Sequence, residues 1–436
     1  MSHTVATVKL WGSAIGAVSY DTSNQLCVFR YHDNFALANV EPSPLKMPVV
    51  PRNYQFAELD ASTFSGLPGM LADVLPDRFG NAVIDAWLAT QGRTANSLNP
   101  VERLCYIGTR GMGALEFEPT LTPQAERQEL LQIESLVDLA NSILSSRAAL
   151  NIDTSKPHIA QSIKDILRVG SSAGGARAKA LIAFNPQTNE CYSGQSNLHQ
   201  GFEHWLLKFD GVTDNRDREA SDPLGYGLIE YAYSKMAVAA GVQMSECRLL
   251  QEKNRHHFLT KRFDRTTDGK KLHMQSLCAI QHLDFRMARA HSYEQALLTM
   301  RQLHMKKSEL LQQLRRMIFN VVARNQDDHT KNIAYLMDKQ GRWTLSPAFD
   351  VTWSFNPDGE WTSRHQMSIQ SKVDDFVVND FIECAKVVGV GRKAVEQITD
   401  EVIGAVTAWG DYAAAAEVPT TTAEKIAQTH RLDILD

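Results

Sequence analysis

The run Asn325-Gln-Asp-Asp-His-Thr-Lys-Asn332, with Asp350 following in Ser346-Pro-Ala-Phe-Asp-Val, holds the side chains best suited to chemistry in this chain. Two adjacent aspartates at the end of a helix are ordinarily a solvated turn. Two additions change that reading. Asn332 follows Asp327 at the Asp-x-x-x-x-Asn spacing of a kinase catalytic loop. Asp350 comes after a strand-like stretch, Arg342-Trp-Thr-Leu-Ser346, where a metal-binding aspartate would face the same cleft. Phosphoryl transfer needs this kit: one Asp to orient or deprotonate a hydroxyl, and an Asn and an Asp to hold magnesium on the phosphates of ATP. Amide and carboxylate oxygens suit Mg2+, which keeps water and phosphate oxygens among its ligands. His329 reads either as a nucleotide contact or as a cap on the loop, and Asp328 is left without a role.

Upstream, Gly170-Ser-Ser-Ala-Gly-Gly-Ala-Arg-Ala-Lys179 is a glycine-rich loop running into a strand. No Gly-Lys-Ser/Thr follows at the spacing of a P-loop, and it is not a dinucleotide fingerprint. A plain hairpin turn fits it equally well. Its chemical offer is small residues that let backbone amides approach phosphates, the charge of Lys179, and hydroxyls on Ser171 and Ser172. Lys208 is a lone cation in the apolar strand His204-Trp-Leu-Leu-Lys-Phe209, so it needs an anion, either a structural partner or the phosphates of ATP, and Glu230, opening the next helix, reads either as an orienting carboxylate or as a surface residue. The segment Gly108-Thr-Arg-Gly-Met-Gly113 is rejected as a second nucleotide loop, since no phosphate-reading partner follows it. The histidines lack metal-ligand spacing, and Asp264-Arg-Thr-Thr-Asp-Gly-Lys lacks the distal Glu of a calcium loop.

These residues need more than one core to position them. At 436 residues, 43% hydrophobic and 22% charged, the chain reads as an ordinary globular protein of two or three lobes. A net charge of −5 gives no bulk signal for nucleic acid or membrane. The six cysteines form no C-x-x-C pair and read as reduced thiols. The start lacks the basic and apolar regions of a signal peptide, and no apolar run is long enough to span a bilayer, so the expectation is a cytoplasmic protein with no membrane partner.

Residues Val5 to Arg30 alternate as a small antiparallel sheet. A helix is expected over about 69–89, interrupted at Pro76, and a short strand over 114–119. Helical periods follow over Ile133 to Ile143 and over Pro157 to Val169. Strands are expected at Ala180–Phe184, His204–Phe209 and Phe258–Phe263, with a helix at about 228–240. From about Asp284 the chain is mainly helical, and the amphipathic helix of Leu310, Leu314, Met317, Ile318 and Val321 ends at the acidic run.

Five motifs in order, Ser-Ser-Ala-Gly-Gly-Ala-Arg-Ala-Lys, Leu-Leu-Lys-Phe, Lys-Arg-Phe-Asp-Arg, Asp-Asp-His-Thr-Lys-Asn and Ser-Pro-Ala-Phe-Asp-Val, resemble the HipA family of toxin kinases. Leu75-Pro-Asp-Arg-Phe-Gly80 and Leu104 to Ala114 look like that family's N-terminal subdomain. The resemblance spans nearly the whole chain. It implies a serine/threonine protein kinase acting as the toxin of a type II toxin–antitoxin pair, with a target such as an aminoacyl-tRNA synthetase. Asp327 would be the catalytic Asp, and Asn332 and Asp350 would bind magnesium. Nucleotide contacts would come from Ala173, Gly174, Gly175, Ala176, Arg177, Ala178 and Lys179 of the loop, from Lys208, from the hinge Lys261, Arg262 and Phe263, and from His329 and Lys331. Ser172, or its neighbour Ser171, falls where the family autophosphorylates this loop and so inactivates itself. A phosphate there would repel those of ATP and favour an open loop. Arg177 stands where better-known members look to carry Gln. A small helix-turn-helix antitoxin, and operator DNA reached through it, are implied by the family alone.

The expected fold class is α+β: a two-lobed protein-kinase-like fold with an extra N-terminal β-rich subdomain and a mainly helical C-terminal lobe. The expected divisions are 1–123, 124–260 and 261–436. The rival readings are a small-molecule kinase and a non-catalytic corepressor that binds an antitoxin on DNA.

Overall fold

The computed structural model describes residues 4–94, 97–121, 131–146, 167, 177–194, 200–212 and 225–434. The glycine-rich loop through Ala176 and the helix expected at Pro157–Val169, apart from Leu167, lie outside the described residues. The chain divides into two compact units, one of residues 1–224, 248–274 and 338–341, the other of 225–247, 275–337 and 342–436.

The first unit opens with the expected antiparallel meander, β1 (Val5–Leu10), β2 (Ser13–Asp21) and β3 (Leu26–Tyr31). Alternation puts Val8, Val18 and Phe29 inside. Two short strands, β4 (Asn53–Tyr54) and β5 (Leu115–Glu118), complete the order β4-β3-β2-β1-β5. The helical segment before Thr90 is broken as expected near Pro76, into Gly69–Ala72 and Arg78–Thr90. Asp77 caps the second piece, its side chain accepting from the Gly80 amide at 2.7 Å.

A second sheet follows, β6 (Lys179–Phe184), β7 (Cys191–Ser193), β8 (Glu203–Lys208), β9 (Cys247–Glu252) and β10 (Arg255–Lys261), in the order β7-β6-β8-β10-β9. One hydrophobic cluster packs helix Arg78–Thr90, through Phe79 and Trp87, with Val137 and Ile143 of helix Ile133–Ser146 and with Ile182, Trp205 and Leu207 of the sheet. Trp205 is fully buried. Each such large side chain contributes about 1.5–3 kcal/mol on leaving water.

The second unit is mainly helical. The amphipathic helix read from the sequence is Lys307–Val322, with Leu314, Met317, Ile318 and Val321 buried. It packs against helices Tyr293–Gln302, Val378–Lys386 and Arg392–Thr407. Helix Tyr226–Ala239 packs on Trp409–Ala415, where the Tyr233 and Trp409 rings meet edge to face at 5.1 Å. Two short strands, Ala334–Met337 and Trp343–Leu345, form the hairpin that leads to Asp350. The six cysteines are buried free thiols, as expected. Among the described residues no helix is long and apolar enough to cross a membrane.

Candidate active site

Helix Lys307–Val322 ends where the acidic run begins. Arg324 takes a left-handed φ of 55°. The Asn325 amide then donates to the Asn320 carbonyl at 2.9 Å and the Arg324 amide to that of Val321 at 3.4 Å. This is a Schellman ending with arginine where glycine is usual. The loop then pairs with the stretch beyond Asp350. The Gln326 amide donates to Ser354 O at 3.1 Å, and the Ser354 amide to Arg324 O at 3.0 Å. The segments bearing Asp327 and Asp350 are therefore hydrogen-bonded to each other. Asp350 has a left-handed φ of 52°, a conformation Asp tolerates better than most residues. Its segment is held by Ala348, whose amide donates to Gln243 O at 2.8 Å, and by Arg316, whose guanidinium donates to Ser346 O at 2.5 Å.

The adjacent aspartates part company. The Asp327 side chain is 40% exposed and that of Asp328 only 1%. The Asn332 side-chain amide donates to the Asp327 carbonyl at 2.6 Å, which closes the loop over the short 3-10 turn Thr330–Asn332. That bond uses the amide nitrogen, whereas a magnesium ion would require the amide oxygen. His329 Nε2 lies 3.8 Å from Asp327. The Phe285 ring gathers the other two residues: His329 packs on it at 5.3 Å and the Lys331 ammonium sits 5.0 Å from its centre. Among the described residues no group of three or more His, Cys, Asp or Glu is arranged to hold a metal ion. A cation at this loop would need amide, water or phosphate oxygens as well, which suits Mg2+ and not a structural zinc.

Asp328 has a clear position. Its Oδ2 accepts from the Tyr293 hydroxyl at 2.7 Å and from His365 Nδ1 at 2.8 Å, and its Oδ1 from the Gln366 amide at 2.7 Å. Burial pushes its carboxyl up, but the His365 ring and the three donors outweigh this and hold it below the ordinary carboxylate value. Sequence reasoning missed this because Tyr293 and His365 lie far from Asp328 in the chain.

In the first unit, register explains the cations. Lys179 and Lys208 are direct partners across the antiparallel pair β6–β8, so they share one face. Both are buried. Asp77 lies 3.4 Å from the Lys179 ammonium, with both side chains 3% exposed. Asp77 carries no role in the sequence reading, although an Asp before a helix start is a legible signal. The Lys208 ammonium also stands 5.7 Å from the Phe258 ring. Two lysines directly opposite on a strand pair are a like-charge pairing that an anion relieves, as Asp77 does for Lys179. Arg177 and Ala178 lead into β6, and the Ala178 carbonyl accepts from the Phe209 amide at 3.0 Å. Ser171, Ser172, Ala173, Gly174, Gly175 and Ala176 lie outside the described residues. Glu230 is buried in helix Tyr226–Ala239 of the second unit.

At the expected hinge, Lys261 pairs with Glu203 at 2.5 Å. The Arg262 amide donates to His204 O at 2.9 Å, and its guanidinium is committed to Asp264 at 2.9 and 2.7 Å. Asp264 also accepts from Arg265 at 2.8 Å and from the Gly113 amide at 2.7 Å. Burial opposes its charge, but Arg262 and Arg265 hold its carboxyl well below the usual range. The glycine segment 108–113 is thus seated on a buried ion cluster. At Gly113, φ is 77° and a Cβ would lie 3.0 Å from the Met274 amide, so glycine is required there.

Residues 6–118 match the HipA N-terminal domain model and residues 171–409 the HipA-like C-terminal domain model. The fold is similar to that of HipA in the Shewanella oneidensis MR-1 complex of HipA, HipB and operator DNA, with TM-score 0.66 and 15% identity over 97% of this chain and 94% of that chain. The Helicobacter pylori proinflammatory kinase CtkA gives TM-score 0.35 and 10% identity over 54% of this chain and 90% of that one, too weak a likeness to carry an argument. Comparison with curated protein sequences found no relative. The mixed architecture of sheets and helices is similar to that of HipA. The chain belongs to the HipA family.

Proposed function

We propose that the protein is an ATP-dependent serine/threonine protein kinase and the toxin of a HipA/HipB-type pair. The observation that carries the reading is the asymmetry of the acidic loop: the Asp327 side chain is 40% exposed beside a buried Asp328, its carbonyl is tied to Asn332, and the segment of Asp350 is hydrogen-bonded to the loop. Asp327 accepts the proton of the attacking hydroxyl and orients it, work that general-base groups do for about 10²–10⁴ in rate. The Asn332 amide oxygen and the Asp350 carboxylate would hold Mg2+. Bound there, the ion would neutralise charge on the transferring phosphoryl group. Lys208 and Lys179 hold phosphates, and Ala173, Gly174, Gly175, Ala176, Arg177 and Ala178 supply backbone amides to them. Lys261, Arg262 and Phe263 meet the base through their backbone, and His329 and Lys331 flank the nucleotide.

The division into a subdomain at 1–123, a phosphate-holding lobe at 124–260 and a catalytic lobe at 261–436 belongs to the same reading. So does autophosphorylation at Ser172 or Ser171. A helix-turn-helix antitoxin, operator DNA bound through it, a cytoplasmic protein target such as an aminoacyl-tRNA synthetase and toxicity by stalled translation complete it. The similar Shewanella protein, seen with HipB and operator DNA, supports the antitoxin partner.

The test is phosphotransfer from labelled ATP with magnesium to the protein and to a cell lysate. Wild type should label itself at Ser172 or Ser171 and a lysate protein, and Asp327→Asn should lose this by about 10³-fold. Absence of any protein labelling by wild type would sink the reading.

A further inference from the structure

Asp328 cannot reach a substrate: its side chain is 1% exposed and both of its oxygens accept protein donors. Its partners come from separate elements. Tyr293 opens helix Tyr293–Gln302, and His365 and Gln366 lead into the strand Met367–Ser368, which pairs with His291–Ser292. The network continues past Tyr293. The Asn320 side chain donates to the Tyr293 hydroxyl at 3.0 Å, and Asn325 donates to the Asn320 side-chain oxygen at 2.9 Å. The loop is therefore pinned on both sides of Asp327, at Asn325 and at Asp328. Asp327 and Asp328 are adjacent, so fixing the Asp328 side chain constrains the backbone that carries Asp327. With Asp328 seated in the interior, the Asp327 side chain stands 40% exposed.

We propose that Asp328 is the positioning residue for Asp327, acting through the buried chain Asn325–Asn320–Tyr293–Asp328–His365. This deepens the kinase reading and rests on it. The role belongs to geometry, so it separates from folding and from nucleotide affinity. Loss of the carboxylate frees the Asp327 backbone to shift, and a displacement of about 1 Å costs catalysis about 10²-fold.

The experiment compares wild type, Asp328→Asn and Tyr293→Phe by steady-state phosphotransfer, by binding of a fluorescent ATP analogue, by thermal unfolding and by hydrogen exchange. Asp328→Asn should lower kcat by about 10²-fold and Tyr293→Phe by about tenfold, with KM for ATP and analogue affinity within about twofold. Exchange should quicken at residues 325–332 and 365–368. Unchanged kcat would overturn the proposal. So would a loss of kcat that only tracks the unfolded fraction, since that is a structural role alone. If Asp328→Asn does not fold, Tyr293→Phe decides by the same criteria. If wild type transfers no phosphate, the functional reading fails on its own account and exchange decides the rest. Loop protection lost in the variants then upholds the positioning, and protection unchanged overturns it.

Discussion

Asp264 and Asp328 are both buried carboxylates that hold a loop, one in each unit, and they are built differently. Asp264 is met by two guanidinium groups and an amide, so the cluster carries a net positive charge in an interior it shares with the carbonyls of Gly111 and Gly113. Asp328 is met by a hydroxyl, an imidazole and an amide, one donor from each of three residues. The first arrangement is a strong, redundant lock suited to holding segment 108–113 fast. The second has little redundancy, and each donor fixes one direction of a loop that places a reactive neighbour. Strong ionic anchoring by paired guanidinium groups belongs with assembly of the unit, and directional anchoring by single donors with alignment.

The largest effect expected from breaking this contrast is at Asp264. Asp264→Ala strands Arg262 and Arg265 where little water can reach them. Breaking a buried ion pair in this way costs about 3–5 kcal/mol. Urea unfolding of the variant should show it, with Trp11, whose indole donates to Lys271 O at 2.9 Å, as a local fluorescence probe. A cost below about 1 kcal/mol would mean that the lock is not one.

Acid sharpens the contrast next. The lowered carboxyls of Asp264 and Asp328 contribute stability that is full above the unfolded value near 3.9 and lost as pH falls through their folded values. Histidine acts earlier. Burial pushes His204 and His273 in the first unit, and His430 in the second, down to about 4. The unfolded chain binds protons at about 6.5, so stability falls as pH drops from 6.5 toward 4. For His273, which is fully buried, the loss between pH 7 and pH 5 is about 2 kcal/mol. Urea midpoints across this range should fall in wild type and fall less in His273→Gln. An equal slope in both would remove His273 from the account.

The sequence announced one half of this picture better than the other. Helix Lys307–Val322 and strands β6 and β8 were legible because their apolar residues repeat at 3.6 or run unbroken. Lys179 and Lys208 were named separately, but that they face each other is a fact of strand register, which neither strand contains. The pairing of Asp77 with Lys179 needed a helix start brought up to the sheet. Ala334–Met337 is not legible as a strand, because a short buried run has no period of its own. In Lys261-Arg-Phe-Asp-Arg265 the sequence points to the backbone, while the side chains of Arg262, Asp264 and Arg265 build the lock on Gly113. Asp328 was least legible: its donors lie 35 to 38 residues away, and hydrogen-bond geometry leaves no periodic trace.

The smallest effect tests redundancy itself. Arg265→Lys keeps a positive charge beside Asp264 but gives up the planar fork that also reaches Gly113 O at 3.1 Å and Asp264 O at 3.0 Å. Arg262 retains its two bonds to the carboxylate, so Asp264 is never left unpaired. The cost should therefore be that of hydrogen bonds to a still-satisfied anion, about 1 kcal/mol, read as a modest fall in urea midpoint at constant m-value. A loss as large as that of Asp264→Ala would mean that Arg265 alone carries the lock, and that the two buried aspartates are equally fragile.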